Sequence, residues 1–241
     1  MEFKTKISKI TENDMILRGE KLSSLIEKNS FSDTIFLMLA KRNPSKVESE
    51  IFSAMLVSVI DHGMGTTSSM TARFAMSGGN SINTAIGAGI LALGDFHGGA
   101  IENSMAQLKS VETKYSGDVS QFVKDTQVIY GFGHKIYKEK DPRVVQIISL
   151  CKKLGYESKY VDIALDIEKK LFEKKGKSIP LNVDGLIAAL LLEMKFSELA
   201  GRAFFIIART PGLAAQAIEE KETEKPVRRV EEEDINYLGD E

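Results

Sequence analysis

The sequence predicts an all-α fold on three observations. Apolar residues recur at helical spacing along most of the chain, period-2 alternation is hard to find, and capping residues stand at the starts of several apolar stripes. Ser45 to Glu48, after Pro44, reads as a capping box. Ile51, Met55, Val59 and His62 then follow along one helix face, which puts His62 on or beside the buried side. From about Ser81, residues Ile82, Ala85, Ile86, Gly89, Ile90 and Leu93 form a second stripe that stops at Gly94. Asp141 before Pro142 is an N-cap followed by a proline at the first helical position, and Val144, Ile147, Ile148 and Cys151 carry that helix to Gly155. Further helices read at 161–175, 185–194 and 197–208, with Pro211 interrupting what would otherwise be one long final helix. The charge runs 219–224 and 231–234, around Arg228 and Arg229, read as a solvated tail.

The 241 residues suffice for one large domain, or one with a modest subdomain, and no repeat or flexible linker suggests two separately folding parts. With 43% hydrophobic and 27% charged residues and only 5 Pro, the composition is that of a globular protein. A formal net charge of -2 provides no overall field toward nucleic acid or anionic lipid, so neither partner is expected and an anionic ligand has to meet a local basic patch. The single cysteine, Cys151, excludes an internal disulfide framework and a Cys-rich zinc site; it reads as a small core residue in a reducing compartment. The first residues contain no apolar run of signal-peptide type, and the longest apolar stretches fall short of the roughly 18 residues that span a bilayer. A cytoplasmic protein is the expectation.

The chain has 3 histidines, His62, His97 and His134. His97 lies in Gly94-Asp95-Phe96-His97-Gly98-Gly99, where small residues allow close approach of a ligand to backbone. His134 ends Gly131-Phe132-Gly133-His134, with Lys135, Lys138, Lys140 and Arg143 behind it. Both read as loop residues on a rigid helical frame. No histidine pair has the spacing of a helical zinc motif and no Cys, His and carboxylate cluster is present, so no metal cofactor is expected. A phosphate-binding loop of the Gly-x-x-x-x-Gly-Lys type is also absent, which argues against ATP use by this chain alone. Asp184, just before the apolar run 186–192, admits two readings: a helix N-cap, or a general base in a partly apolar setting.

At these residues the sequence resembles the citrate synthase superfamily over nearly its whole length. Asp61-His62-Gly63 with Thr71-Ala72-Arg73 is similar to the family's substrate-binding helix, and Gly94 to Ala100 with His97 is similar to its first catalytic loop. Gly133-His134-Lys135-Ile136-Tyr137 through Asp141-Pro142-Arg143 resembles the second histidine motif. Asn182-Val183-Asp184 resembles the segment of the catalytic aspartate, and Arg209-Thr210-Pro211-Gly212 the late substrate-arginine motif. Asn182 to Ile187 and the tail Asp234-Ile235-Asn236-Tyr237 look more like the citryl-CoA lyases and the C-terminal module of ATP-citrate lyase than like ordinary citrate synthases.

The resemblance implies an all-α citrate synthase-like fold, with a large domain from 1–98 and 184–241 and an inserted small domain, 99–183, that closes over the site. It implies cleavage of citryl-CoA to acetyl-CoA and oxaloacetate, with citrate synthase or 2-methylcitrate synthase as alternatives. His134 would take the hydroxyl proton, His97 would stabilise the thioester enolate, and Asp184 would protonate its carbon. His62, Arg143 and Arg209 would bind the substrate, with Arg229 contributed from the other subunit of a homodimer or higher homo-oligomer. Lys135 and Lys138 would meet the CoA phosphates. Coenzyme A enters as part of the substrate, with no metal or redox cofactor, and a separate citryl-CoA synthetase would supply any ATP-dependent step. A subunit that has kept the fold and lost catalysis is the expectation of another class.

Overall fold

The computed structural model describes residues 2–240. In chain order its elements are β1 (Ser8–Ile10), β2 (Met15–Leu17), β3 (Glu20–Lys21), α1 (Leu22–Lys28), α2 (Phe31–Ala40), α3 (Lys46–Ser58), α4 (Thr67–Ser77), α5 (Ile82–Leu91), α6 (Ala100–Thr113), α7 (Val119–Asp125), α8 (Pro142–Lys153), α9 (Lys159–Lys175), α10 (Val183–Glu193) and α11 (Leu199–Thr223). The fold is mostly helical, as the spacing predicts. The small antiparallel sheet β1-β2-β3 was not legible as alternation, because its strands are only two or three residues long. Its β2 to β3 turn has positive φ at Arg18 and Gly19, and that Arg-Gly pair is the local signal for it.

Caps explain where several helices begin. Ser45 accepts from the Glu48 amide while the Glu48 carboxylate accepts from that of Ser45, the reciprocal box read from the sequence. Ser30 and Asp33 build the same device at α2. Asp141 caps α8 with Pro142 at the first helical position, and Cys151 is buried, which pushes its thiol up to about 11.

Contacts divide the chain into two compact units, one made of the chain up to Val59 with Gly98–Ala208, the other of Ile60–His97 with the chain from Arg209. This grouping reflects contacts within one conformation, whereas the large and small domains of the resemblance are defined by closure. In unit 1, α10 is the central rod, buried at Val183 and from Gly185 to Leu192 and packed on α6 and α9. A second cluster stacks Phe36, Phe52, Phe196 and Phe204 edge-to-face and face-to-face, with ring centroids 4.9 to 5.7 Å apart. Each such pair adds about 0.5–1.5 kcal/mol to the burial of its rings. In unit 2, α4 and α5 pack as a hairpin, with Met76, Ala85 and Ala217 as the core.

Two expectations about helix limits are corrected. α3 ends at Ser58, and His62 is an exposed residue of the following loop rather than part of a buried helix face. The cause is local: the Asp61 carboxylate accepts from the Gly63 amide at 2.8 Å, and Gly63 sits at φ 82°, a turn that no helix continues through. Conversely, α11 runs unbroken through Pro211. An interior proline costs about 3 kcal/mol. Burial of Ala208, Leu213 and Ala217 on either side of it offsets that cost. Among the described residues no helix is long and apolar enough to cross a membrane.

Candidate active site

Unit 2 carries His97. Gly94 and His97 exchange backbone hydrogen bonds of 2.8 and 3.0 Å, closing a tight turn with the exposed Phe96 at its tip, and Gly98 leaves it at φ 95°. The ring turns back to the N-terminus of α4, where Nε2 lies 2.8 Å from the Ser68 hydroxyl and accepts from the Ser68 amide at 3.4 Å. An acceptor at Nε2 puts the proton of the neutral ring on Nδ1. Burial, then the charges of Arg209 and His62, hold the His97 pKa below the usual imidazole range. His97 is therefore an uncharged donor at neutral pH. Arg209, on the unit 2 part of α11, is buried, and close packing of Gly212 on the Ile60 carbonyl leaves no room for a side chain one turn along.

The same unit resolves two other residues. Arg73, in the segment likened to the substrate-binding helix, is buried against Glu220. In the tail, Arg228 is bound to Glu220 and Glu224, while Arg229 is exposed. The tail is thus solvated as composition predicts, except at Arg228.

Unit 1 carries His134, Arg143 and Asp184, joined through backbone. Gly131 and Gly133 take positive φ, and the loop they form pairs with 180–182: the Gly133 amide donates to the Pro180 carbonyl at 2.7 Å and the Asn182 amide to the Gly131 carbonyl at 3.0 Å. A Cβ on Gly131 would lie 2.5 Å from the Gly185 Cα, so the loop of His134 is pressed directly on the first turn of α10. Asn182 caps that helix, its Oδ1 accepting from the amides of Asp184 and Gly185. The N-cap reading of Asp184 is corrected by this: the half-buried Asp184 sits inside the first turn, where the helix dipole favours a carboxylate.

His134 Nδ1 accepts from the backbone amides of Ile136 at 3.1 Å and Tyr137 at 3.0 Å, and the ring stacks on Tyr137 at 4.6 Å. The neutral ring therefore carries its proton on Nε2. Nε2 lies 3.2 Å from Arg143 Nη2, so two donors face the same region, an arrangement that a negatively charged oxygen satisfies. Burial and the Arg143 guanidinium lower the His134 pKa, against the opposing charge of Asp141.

Asp141 is the residue whose reach sequence reasoning missed. Beyond capping α8, its buried carboxylate accepts from Arg143 Nε at 3.0 Å and Nη2 at 2.7 Å, and from the Val183 amide at 3.1 Å. One carboxylate thus fixes both the guanidinium and the chain entering Asp184. Those bonds hold its pKa below the ordinary value against the burial that opposes them. Lys138 donates to the His134 carbonyl at 3.1 Å, and Lys135 is exposed. Among the described residues no group of His, Cys, Asp and Glu is placed to hold a metal ion.

The family model described as "Citrate synthase, C-terminal domain" matches residues 19–230, a span that includes every one of these residues. The chain belongs to the citrate synthase family. Among solved structures, the citryl-CoA lyase from Hydrogenobacter thermophilus is 39% identical with a TM-score of 0.94, covering 99% of this chain and 95% of that one. The ATP citrate lyase from Methanothrix soehngenii, solved with citrate and coenzyme A, is 25% identical with a TM-score of 0.89, covering 100% of this chain and 42% of that one. The citrate synthase of Haloferax volcanii is 29% identical over 88% of this chain and 57% of its own length. The chain thus spans little more than half of that citrate synthase, and 37% of the probable ATP-citrate synthase of Dictyostelium discoideum, at 29% identity over 88% of this chain.

Proposed function

We propose that this member of the citrate synthase family is a citryl-CoA lyase, cleaving citryl-CoA to acetyl-CoA and oxaloacetate. The observation that carries the reading is the match with a citryl-CoA lyase at 39% identity and a TM-score of 0.94, against 29% identity to a citrate synthase. The local chemistry agrees with it. Cleavage breaks the carbon–carbon bond of a tertiary alcohol and sends its electrons into the thioester as an enolate. In the condensation direction the neutral His134 ring gives its Nε2 proton to the oxaloacetate carbonyl oxygen. Cleavage is the reverse, in which Nε2, having first lost that proton, takes the one on the hydroxyl, the two backbone donors on Nδ1 and the Arg143 guanidinium lowering the cost of the anionic ring. His97 donates from Nδ1 to the thioester oxygen as charge develops there. Asp184, entering as the acid, protonates the enolate carbon to give acetyl-CoA, and the reverse condensation uses the same three groups.

In this reading Arg143 and Arg209 bind carboxylates, His62 adds a hydrogen bond, and Lys135 and Lys138 bring positive charge to the CoA phosphates. The enzyme works as a cytoplasmic homodimer or higher homo-oligomer in which Arg229 reaches the partner's site, and the segment 99–183 closes as a small domain. No redox or metal step enters the cleavage. The ATP-dependent formation of citryl-CoA belongs to a separate synthetase.

The alternative within the family is a citrate synthase, or a 2-methylcitrate synthase, favoured by the 29% identity to a citrate synthase. The two differ in whether the citryl thioester is hydrolysed. Purified protein given citryl-CoA, with oxaloacetate and free thiol followed in parallel, separates them. Oxaloacetate without thiol supports the lyase. Thiol without oxaloacetate, matched by thiol from acetyl-CoA and oxaloacetate, replaces it with the synthase, and silence in both from folded protein replaces it with a non-catalytic subunit.

A further inference from the structure

Glu220 lies in the last turn and a half of α11 with its side chain wholly buried. A carboxylate there requires cations. Arg73, itself buried on α4, donates from Nε to Oε2 at 2.8 Å. Arg228 donates from Nε to Oε1 at 2.8 Å and from Nη2 to Oε2 at 2.9 Å, a two-point fork on one carboxylate. Glu224 lies 3.1 Å from Arg228 and Glu219 lies 3.6 Å from Arg73, so the two guanidinium groups are surrounded by acids. The Arg228 main chain is fastened as well, its amide donating to the buried Ser77 hydroxyl at 2.6 Å.

From residue 221 to 240 every residue is exposed except Arg228. Among the described residues of the tail, the part-buried Arg228 ties it down one residue before Arg229. Without that anchor, the six residues from Glu224 to Arg229 would let the Arg229 Cα range over about 13 Å, as a flexible chain of that length does. With it, Arg229 is held one Cα step, about 3.8 Å, from a fixed point.

We propose that Arg73, Glu220 and Arg228 form a clamp that positions Arg229, making Arg228 a positioning residue of the tail rather than a second substrate arginine. The proposal rests on the function proposed above, in which Arg229 meets the substrate bound at the other subunit. Arg73 and Arg228 are 155 residues apart, and only the fold brings them to one carboxylate.

The test uses the full chain with Arg228→Ala, Arg228→Lys and Arg229→Ala, reading backbone hydrogen exchange over 224–236 beside citryl-CoA kinetics. Arg228→Ala leaves the buried Arg73 and Glu220 pair intact, so the fold is retained. Exchange in the segment should then accelerate about 10-fold or more, and kcat/KM should fall several-fold, chiefly through KM. Arg228→Lys, which keeps the charge and loses the fork, should recover part of both. Arg229→Ala should lower kcat/KM about 100-fold with the exchange of 224–228 unchanged. Unchanged exchange in Arg228→Ala overturns the clamp. Faster exchange with wild-type kinetics overturns its positioning role. If the wild-type protein does not turn over citryl-CoA, the functional reading and the role given to Arg229 fail, while exchange still decides whether the clamp exists.

Discussion

The two histidine loops solve one electrostatic problem with different means. His97 in unit 2 and His134 in unit 1 both have pKa values lowered first by burial and then by a nearby arginine, Arg209 and Arg143 respectively. Both therefore favour the neutral ring more than an ordinary imidazole does. They differ in which nitrogen is tied down. Ser68 at the start of α4 occupies Nε2 of His97, whereas the backbone amides of Ile136 and Tyr137 occupy Nδ1 of His134. Opposite tautomers follow, and at His97 a side-chain hydroxyl stands beside the backbone donor.

The comparison is broken most severely by removing a group to which the proposed cleavage assigns a proton transfer. His134→Ala and Asp184→Asn should each lower citryl-CoA cleavage by about 10²- to 10⁴-fold, measured as oxaloacetate formed, with folding retained because Asn182 still caps α10. Gly131→Ala attacks the framework of the His134 side alone. A Cβ there would sit 2.5 Å from the Gly185 Cα at φ 86°, so a loss of about 3 kcal/mol or more in denaturant unfolding is expected. Ser68→Ala sharpens the contrast by removing the hydroxyl at His97 while leaving the amide that fixes its tautomer. It should lower kcat about 10-fold through loss of one hydrogen bond, whereas trimming the exposed Ile136 to Ala, whose amide remains, should leave kcat within about 2-fold.

The smallest effect is on pH dependence. Both histidines have folded pKa values below 6.5, the ordinary value, so their neutral forms are fully favourable above it. Stability tied to them is present above about pH 6.5 and lost as pH falls through the lowered folded values, since the unfolded chain then binds more protons. Denaturant unfolding of wild type at pH 7.5 and pH 5.5 should show the decline. His97→Asn and His134→Asn should each reduce it, and a decline unchanged in both would assign it to other groups.

Local signals in the sequence are legible where the controlling partner is within a few residues. The capping box at Ser45 and the cap at Asp141 have their partners two or three positions away, and the helices they open were legible. The placement of His62 failed because helical period was extended through Asp61-His62-Gly63, where a side chain to backbone bond competes with the helix. At Pro211 the opposite holds: burial of the residues around it outweighs the local preference that predicts a break. Asp184 stayed ambiguous because Asn182, two residues earlier, serves as the cap. The bond from the Val183 amide to Asp141 spans 42 residues, and that from Arg73 to Glu220 spans 147. No window along the chain contains both ends of either. The family motifs supply the candidate site residues, whereas the long-range contacts made by Ser68, Asp141 and Glu220 emerge only from the fold.

The tautomers themselves are measurable, and the chain has only 3 histidines, so nitrogen-15 NMR of the labelled rings at pH 7, assigned with His62→Asn and His97→Asn, tests the account most directly. The account predicts two neutral rings of opposite kind, His97 protonated at Nδ1 and His134 at Nε2. Matching tautomers at the two sites, or a protonated imidazolium at either, would contradict it.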